Sequence, residues 1–122
     1  MTSAPTEEIR LGQIGIRFLV EGASSNGTVA MFELDVAPGT KVPIAHRHDA
    51  YEETIYGLEG TLTFAVAGKP HEIGPGHFLC IPRGAIHRFD NLHPTLSRTV
   101  AVITPGILGP NYFRGIFAAV DP

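Results

Sequence analysis

Residues Gly76 to Asn91 read GHFLCIPRGAIHRFDN, and the fold turns on how this stretch is parsed. Gly76 opens an apolar run, Pro82 and Gly84 bracket a turn, and His87 lies three residues past Gly84. Asn91 follows four residues after the histidine. Proline at a strand end gives up no needed amide, and glycine tolerates the positive φ of a tight turn. The block therefore reads as strand, turn, strand, with a histidine on the second strand and Asn91 as an architectural residue. An upstream block answers it. HRHDAYEE, from His46 to Glu53, sets two histidines one residue apart and follows them with acidic residues. Imidazole is the commonest protein metal ligand.

Spacing connects the two blocks. In a strand, residues i and i+2 point to the same side, so His46 and His48 aim at one point and Arg47 faces away. Four residues separate His48 from Glu53, and six separate Glu53 from Gly60. A turn after His48 would let Glu53 start the neighbouring strand, with His87 on a strand that closes the sheet behind them. Three nitrogens and one oxygen converging inside a small barrel suit a divalent first-row metal. The spacing resembles a cupin-superfamily motif in which six residues separate the glutamate from the next glycine. That resemblance implies Glu53 rather than Glu52 as the ligand, and Asp49 and Glu52 are expected to be solvated. His71, His77 and His93 fall at turns or strand starts and are expected to be exposed.

Fourteen glycines and ten prolines punctuate the chain at short intervals, as in an all-β sandwich or barrel. IGIRFLV places Ile14, Ile16, Phe18 and Val20 on one face at period two. GASSNGT reads as a turn with Asn26-Gly27 as its strongest signal. VAMFELDV is the next strand, closed by Pro38-Gly39. YEETIYGL and TLTFAVAG follow, with a turn at GKP. HFLCIP reads as a short buried strand, AIHRFDN as another and LSRTVAVIT as a longer one, with NLHP a loop between the last two. Gly60 and Gly84 are expected at positive φ. In NYFRGIFAAV, Phe113, Ile116, Phe117 and Val120 fall at helical spacing with Asn111 as N-cap. That predicts a short helix or arm across a barrel mouth. Residues 1–8 read as a flexible tail and 9–122 as one domain.

The chain's 122 residues make one domain that buries about two-thirds of its unfolded surface. A net charge of −3 offers no basic footprint for nucleic acid. No apolar run is long enough for a membrane span, and the N-terminus lacks the basic and apolar regions of a signal peptide. The single cysteine, Cys80, forms no internal disulfide, which fits a cytoplasmic location. Inside HFLCIP it is expected to be a small buried hydrophobe rather than a catalytic thiol.

The two blocks resemble the paired signature motifs of the cupin superfamily. The second matches at every motif position. The first departs only in that six residues rather than five separate Gly39 from His46. The resemblance implies an all-β fold, a single-domain cupin: a double-stranded β-helix, or small antiparallel jelly-roll barrel, with a short C-terminal arm or helix. It implies one divalent transition metal per chain on His46, His48, Glu53 and His87, iron or manganese being favoured over nickel, cobalt, zinc or copper. Glu53 would be the catalytic residue, and Ile55, Phe64, Phe89 and Met31 would line the pocket. EETIYGLEG, IPRGAIHRFDN and TPGILGPNYFR are similar to single-domain relatives of quercetin dioxygenase. The leading expectation is a dioxygenase-like enzyme acting on a small organic substrate. A lyase or isomerase that does not use O₂, or a non-catalytic sensor, stands as the alternative. A homodimer is expected, with Ile14 to Val20 pairing across a two-fold axis, and no nucleic-acid or membrane partner.

Overall fold

Strict alternation along the strands decides which face of each is buried. On the last strand Ser97, Thr99, Ala101 and Ile103 are buried while Arg98, Val100 and Val102 are half-exposed. The computed structural model describes residues 8–41 and 45–114. They form β1 (Glu8–Leu11), β2 (Ile14–Val20), β3 (Ala30–Val36), β4 (Glu52–Glu59), β5 (Leu62–Val66), β6 (Lys69–Ile73), β7 (Phe78–Ile81), β8 (His87–Asp90) and β9 (Ser97–Thr104). A single 3-10 turn spans Gly22–Ser24, and the chain is helical over 110–114. Six strands form one sheet in the order β1-β2-β3-β9-β4-β7, and three form a second in the order β6-β5-β8. All pairings are antiparallel. This is the expected all-β jelly-roll architecture.

Registers line the inner face of the large sheet in rows. Phe18, Phe32, Ala101, Ile55 and Leu79 stand side by side across it. In the next row Ala30, Ile103, Glu53 and Ile81 do the same. Opposite, the small sheet offers Leu62, Phe64 and Ile73, all buried. Burial of each such Ile, Leu or Phe contributes about 1.5–3 kcal/mol. One ionisable side chain, Glu53, thus sits within an otherwise apolar row.

One end of the outer face of β2, β3 and β9 is charged. There Arg17 and Arg98 both donate to the Asp35 carboxylate, at 2.8 to 3.2 Å. Met31 lies on this outer side with Glu33, because it alternates with the buried Ala30 and Phe32.

Several expectations meet the structure directly. Asn26 and Gly27 take φ of 54° and 76°, and Gly60 and Gly84 take 64° and 81°. Other expectations are corrected. β1 starts at Glu8, which pairs with Arg17, so the tail cannot extend to residue 8. β1 also covers β2, so Ile14–Val20 is not a free edge; among the described residues the edges of the large sheet are β1 and β7. The turn expected at GKP falls one residue earlier, on Ala67 and Gly68, with φ of 50° and 80°. Lys69 and Pro70 then begin β6, an edge strand where proline's missing N–H is tolerated.

β7 is not the buried strand expected. Phe78 is 75% exposed, and Cys80 is exposed as well. Parity explains this: Ile81 faces inward, so Cys80 faces out. In the tail, helix starts at Pro110, one residue before Asn111, and proline is preorganised for the first helical position. Phe113 packs on Phe18 and Phe32, with ring centroids 5.9 and 5.2 Å apart. Ile116, Phe117 and Val120 lie outside the described residues.

Candidate metal centre

The histidines of the two sequence blocks meet on the side of the small sheet. The segment around His46 runs antiparallel to β8, and His46 and His87 exchange both backbone hydrogen bonds at 2.8 Å. Residues directly opposite in such a pair put their side chains on the same face. His46 and His87 therefore point inward together, and their ring centroids lie 5.1 Å apart. His48, two residues on, shares that side, and its ring lies 5.0 Å from that of His87. The exposed Arg47 turns away to Asp49 at 3.2 Å.

Glu53 arrives from across the barrel. It is the second residue of β4 and pairs with Ile81 and Ile103. The expectation that Glu53 starts the strand next to His46 and His48 is thus corrected, since β4 is bonded to β7 and β9. Its Oε1 lies 3.8 Å from Nε2 of His48 and 3.9 Å from Nε2 of His87. Ligand atoms of His48, Glu53 and His87 all lie within 4.8 Å of one another. His46 stands beside this tight group, its ring 5.7 Å from that of His48.

Electrostatics favour a cation here. Burial pushes the Glu53 carboxyl up to about 7. Although its side chain retains 14% exposure, Ile81 and Ile103 flank it with apolar surface. Burial, then the neighbouring His87 and His46, push His48 down to about 4. His87 is also lowered, mainly by burial. The His48 and His87 imidazoles are neutral at pH 7 and keep lone pairs for a ligand bond, while burial disfavours the charged form of Glu53. A divalent metal satisfies both conditions, and nitrogen with carboxylate oxygen is a donor set that first-row metals accept. The residues fit a metal.

The remaining expected site residues divide. Ile55 is 1% exposed and lies on the inner face two residues from Glu53. Phe64 is equally buried and meets Phe89 at 5.7 Å, on the strand that carries His87. Met31, on the outer face, does not join them. Glu52 is held by Arg83 at 2.8 Å outside the barrel. His77 is exposed, whereas His71 and His93 are half-buried. None of the three belongs to the tight group.

Asn91 is fully buried and joins three backbone groups, those of Val36, Thr95 and His93. It anchors the C-terminal end of β8, the strand that begins at His87. Sequence reading passed over Tyr51. Its hydroxyl lies 2.7 Å from Nδ1 of His48, and its ring stacks on the imidazole at 4.5 Å. Position alone, between HxH and the glutamate, was the available signal. A cleft of about 460 Å³ between the Gly22–Ser24 turn and residues 106–112 is lined by none of the four expected ligands.

The cupin domain family matches residues 32–103 of the chain, and the chain belongs to that family. It is 28% identical over 98 residues to quercetin 2,3-dioxygenase of Bacillus subtilis, across 80% of this chain and 28% of that protein. It is 31% identical over 85 residues to an uncharacterised HTH-type transcriptional regulator of the same organism, across 68% of this chain and 35% of that protein. The chain thus spans about a third of these curated relatives. A Thermotoga maritima structure, described as a predicted oxalate decarboxylase, shares the fold with a TM-score of 0.73 at 24% identity, over 81% of this chain and 90% of that one.

Proposed function

We propose that the chain is a metal-dependent, dioxygenase-like enzyme that binds a small organic substrate inside the barrel. The observation that carries this reading is the convergence of His48, Glu53 and His87 within 4.8 Å, one of them a carboxyl raised by burial. The likeness to quercetin 2,3-dioxygenase supports the choice of chemistry. His48, Glu53 and His87, joined by His46, would hold one divalent metal per chain, iron or manganese in the active form. When bound, such a metal acts as a Lewis acid that stabilises negative charge developing on a substrate oxygen.

The chain's own residues supply the rest. Ile81 and Ile103 flank Glu53 with apolar side chains, and Ile55 follows it on the inner face. Glu53, on leaving the metal, would take a proton at Oε1 from an acidic C–H or O–H and return it. The neutral imidazoles of His48 and His87 hold position on either side. A homodimer, joined through an open sheet edge at β1 or β7, and a cytoplasmic location belong to the same proposal. Among the described residues no helix is long and apolar enough to cross a membrane.

Oxygen uptake by metal-loaded protein with flavonols and β-diketones tests the reading. Stoichiometric uptake supports it. Turnover without oxygen consumption would instead assign a lyase or isomerase. Tight binding without turnover would assign a sensor, the reading favoured by the likeness to a transcriptional regulator.

A further inference from the structure

His87 and His48 are held from behind by different kinds of group. Nδ1 of His87 lies 3.1 Å from the carbonyl oxygen of Ala85. A carbonyl only accepts, so this nitrogen carries the ring proton and Nε2, the atom nearer Glu53, keeps its lone pair. Nδ1 of His48 instead lies 2.7 Å from the hydroxyl of Tyr51. A hydroxyl both donates and accepts. It can donate to Nδ1 and leave the ring proton on Nε2, or accept from Nδ1 and leave Nε2 free. Tyr51 itself has little freedom: it is 7% exposed, and its ring lies 23° from parallel to the imidazole.

We propose that Tyr51 is a positioning residue of the metal centre, orienting the His48 ring and accepting a hydrogen bond from Nδ1 when Nε2 ligates a metal. The inference rests on the metal-binding reading. The metal-free protein is free to use the opposite orientation, with Tyr51 donating. On metal uptake the neutral imidazole exchanges its proton from Nε2 to Nδ1 through solvent. The tyrosine keeps its own proton, which rotates away from Nδ1 as the hydroxyl oxygen accepts. No charge is lost and no redox partner is involved. His87 needs no such change, because the Ala85 carbonyl has already selected its tautomer.

Zinc, which is diamagnetic, allows a direct test. In the zinc-loaded wild-type protein, long-range proton–nitrogen spectra of the imidazoles should show a protonated Nδ1 on His48 that exchanges slowly with water. Tyr51→Phe keeps the stacked ring and removes the hydroxyl. Chelator competition should then show zinc affinity falling about 10–100-fold, with the melting temperature of the metal-free protein little changed. Tyr56→Phe, at an exposed position on the outer face, should bind zinc as the wild type does. Equal zinc affinity in wild type and Tyr51→Phe would overturn this inference alone. So would a His48 Nδ1 proton that exchanges as fast as that of an exposed imidazole, a measurement that needs no variant. Wild-type protein that takes up no zinc would overturn the metal reading and this inference together.

Discussion

Asn91 donates from Nδ2 to the carbonyl of Val36 at 2.9 Å, which ties the end of β8 to the end of β3. The same amide donates to Thr95 and accepts from the backbone of His93. Asn91→Ala would leave buried backbone groups unpaired, at about 1–3 kcal/mol for each one that water cannot reach. The expected loss is about 2–4 kcal/mol, or a melting temperature about 10 °C lower for a domain of this size. Thermal unfolding measures it, and a shift of less than about 2 °C would show that the anchor carries no stability.

Asp35 gives the fold a pH dependence of known sign. Burial alone would raise its carboxyl, but hydrogen bonds and charge from Arg17 and Arg98 outweigh burial and leave it below the ordinary value. A carboxyl depressed in the folded state contributes stability that is present above about pH 4 and lost as pH falls through the folded value. Asp35→Asn should cost about 2–3 kcal/mol at pH 7, since it leaves two guanidinium groups facing a neutral amide. The gap between wild type and variant should close on acidification. Urea titrations at pH 7 and pH 3 check this, and a gap that widens at low pH would contradict it.

Two glycines at positive φ separate conformational strain from steric clash. A Cβ on Gly60 would run into the carbonyl of Leu96, whereas a Cβ on Gly68 meets nothing within 4 Å. Both positions carry the left-handed penalty of about 1–2 kcal/mol for an L side chain. Gly68→Ala should show that penalty alone. Gly60→Ala should lose at least about 2 kcal/mol more, because a backbone carbonyl cannot move aside cheaply. Equal losses in the two variants would mean that β4 and the Leu96 loop yield more readily than their packing indicates.

Catalysis gives a further check. Glu53→Gln should retain much of the bound metal through the amide oxygen, yet lose about 10²–10⁴-fold in turnover if the carboxylate moves a proton. Steady-state rates on any substrate that the wild type converts would measure this. Full activity in the metal-loaded variant would leave Glu53 as a ligand only.

The site was legible in the sequence because HxH in an extended segment and a histidine after a PxG turn fix directions locally. Such directions follow from period two and need no knowledge of the partner strand. What period two does not fix is which sheet a strand joins. For that reason Glu53 was expected beside His46 and His48 but comes from across the barrel. The same gap misread FLCI. An unbroken apolar run leaves its parity open, and only pairing of Ile81 with Glu53 turns Cys80 outward. β1 and β6 escaped notice for another reason. EIRL is four residues long, and KPHEI carries proline and charge on an edge strand, so neither shows clear alternation. Tyr51 meets His48 through a bend of the chain between them, which no strand or helix period describes.

The central claim is that His48, Glu53 and His87, with His46 beside them, hold one divalent metal per chain. Elemental analysis of purified protein tests it most directly, made on wild type and on the His48→Ala, Glu53→Ala and His87→Ala variants after equal exposure to manganese. About one metal per chain is expected in the wild type and at least a tenfold drop in occupancy at limiting metal in each variant, with folded β-sheet spectra retained. Unchanged metal content in His48→Ala and His87→Ala would contradict it.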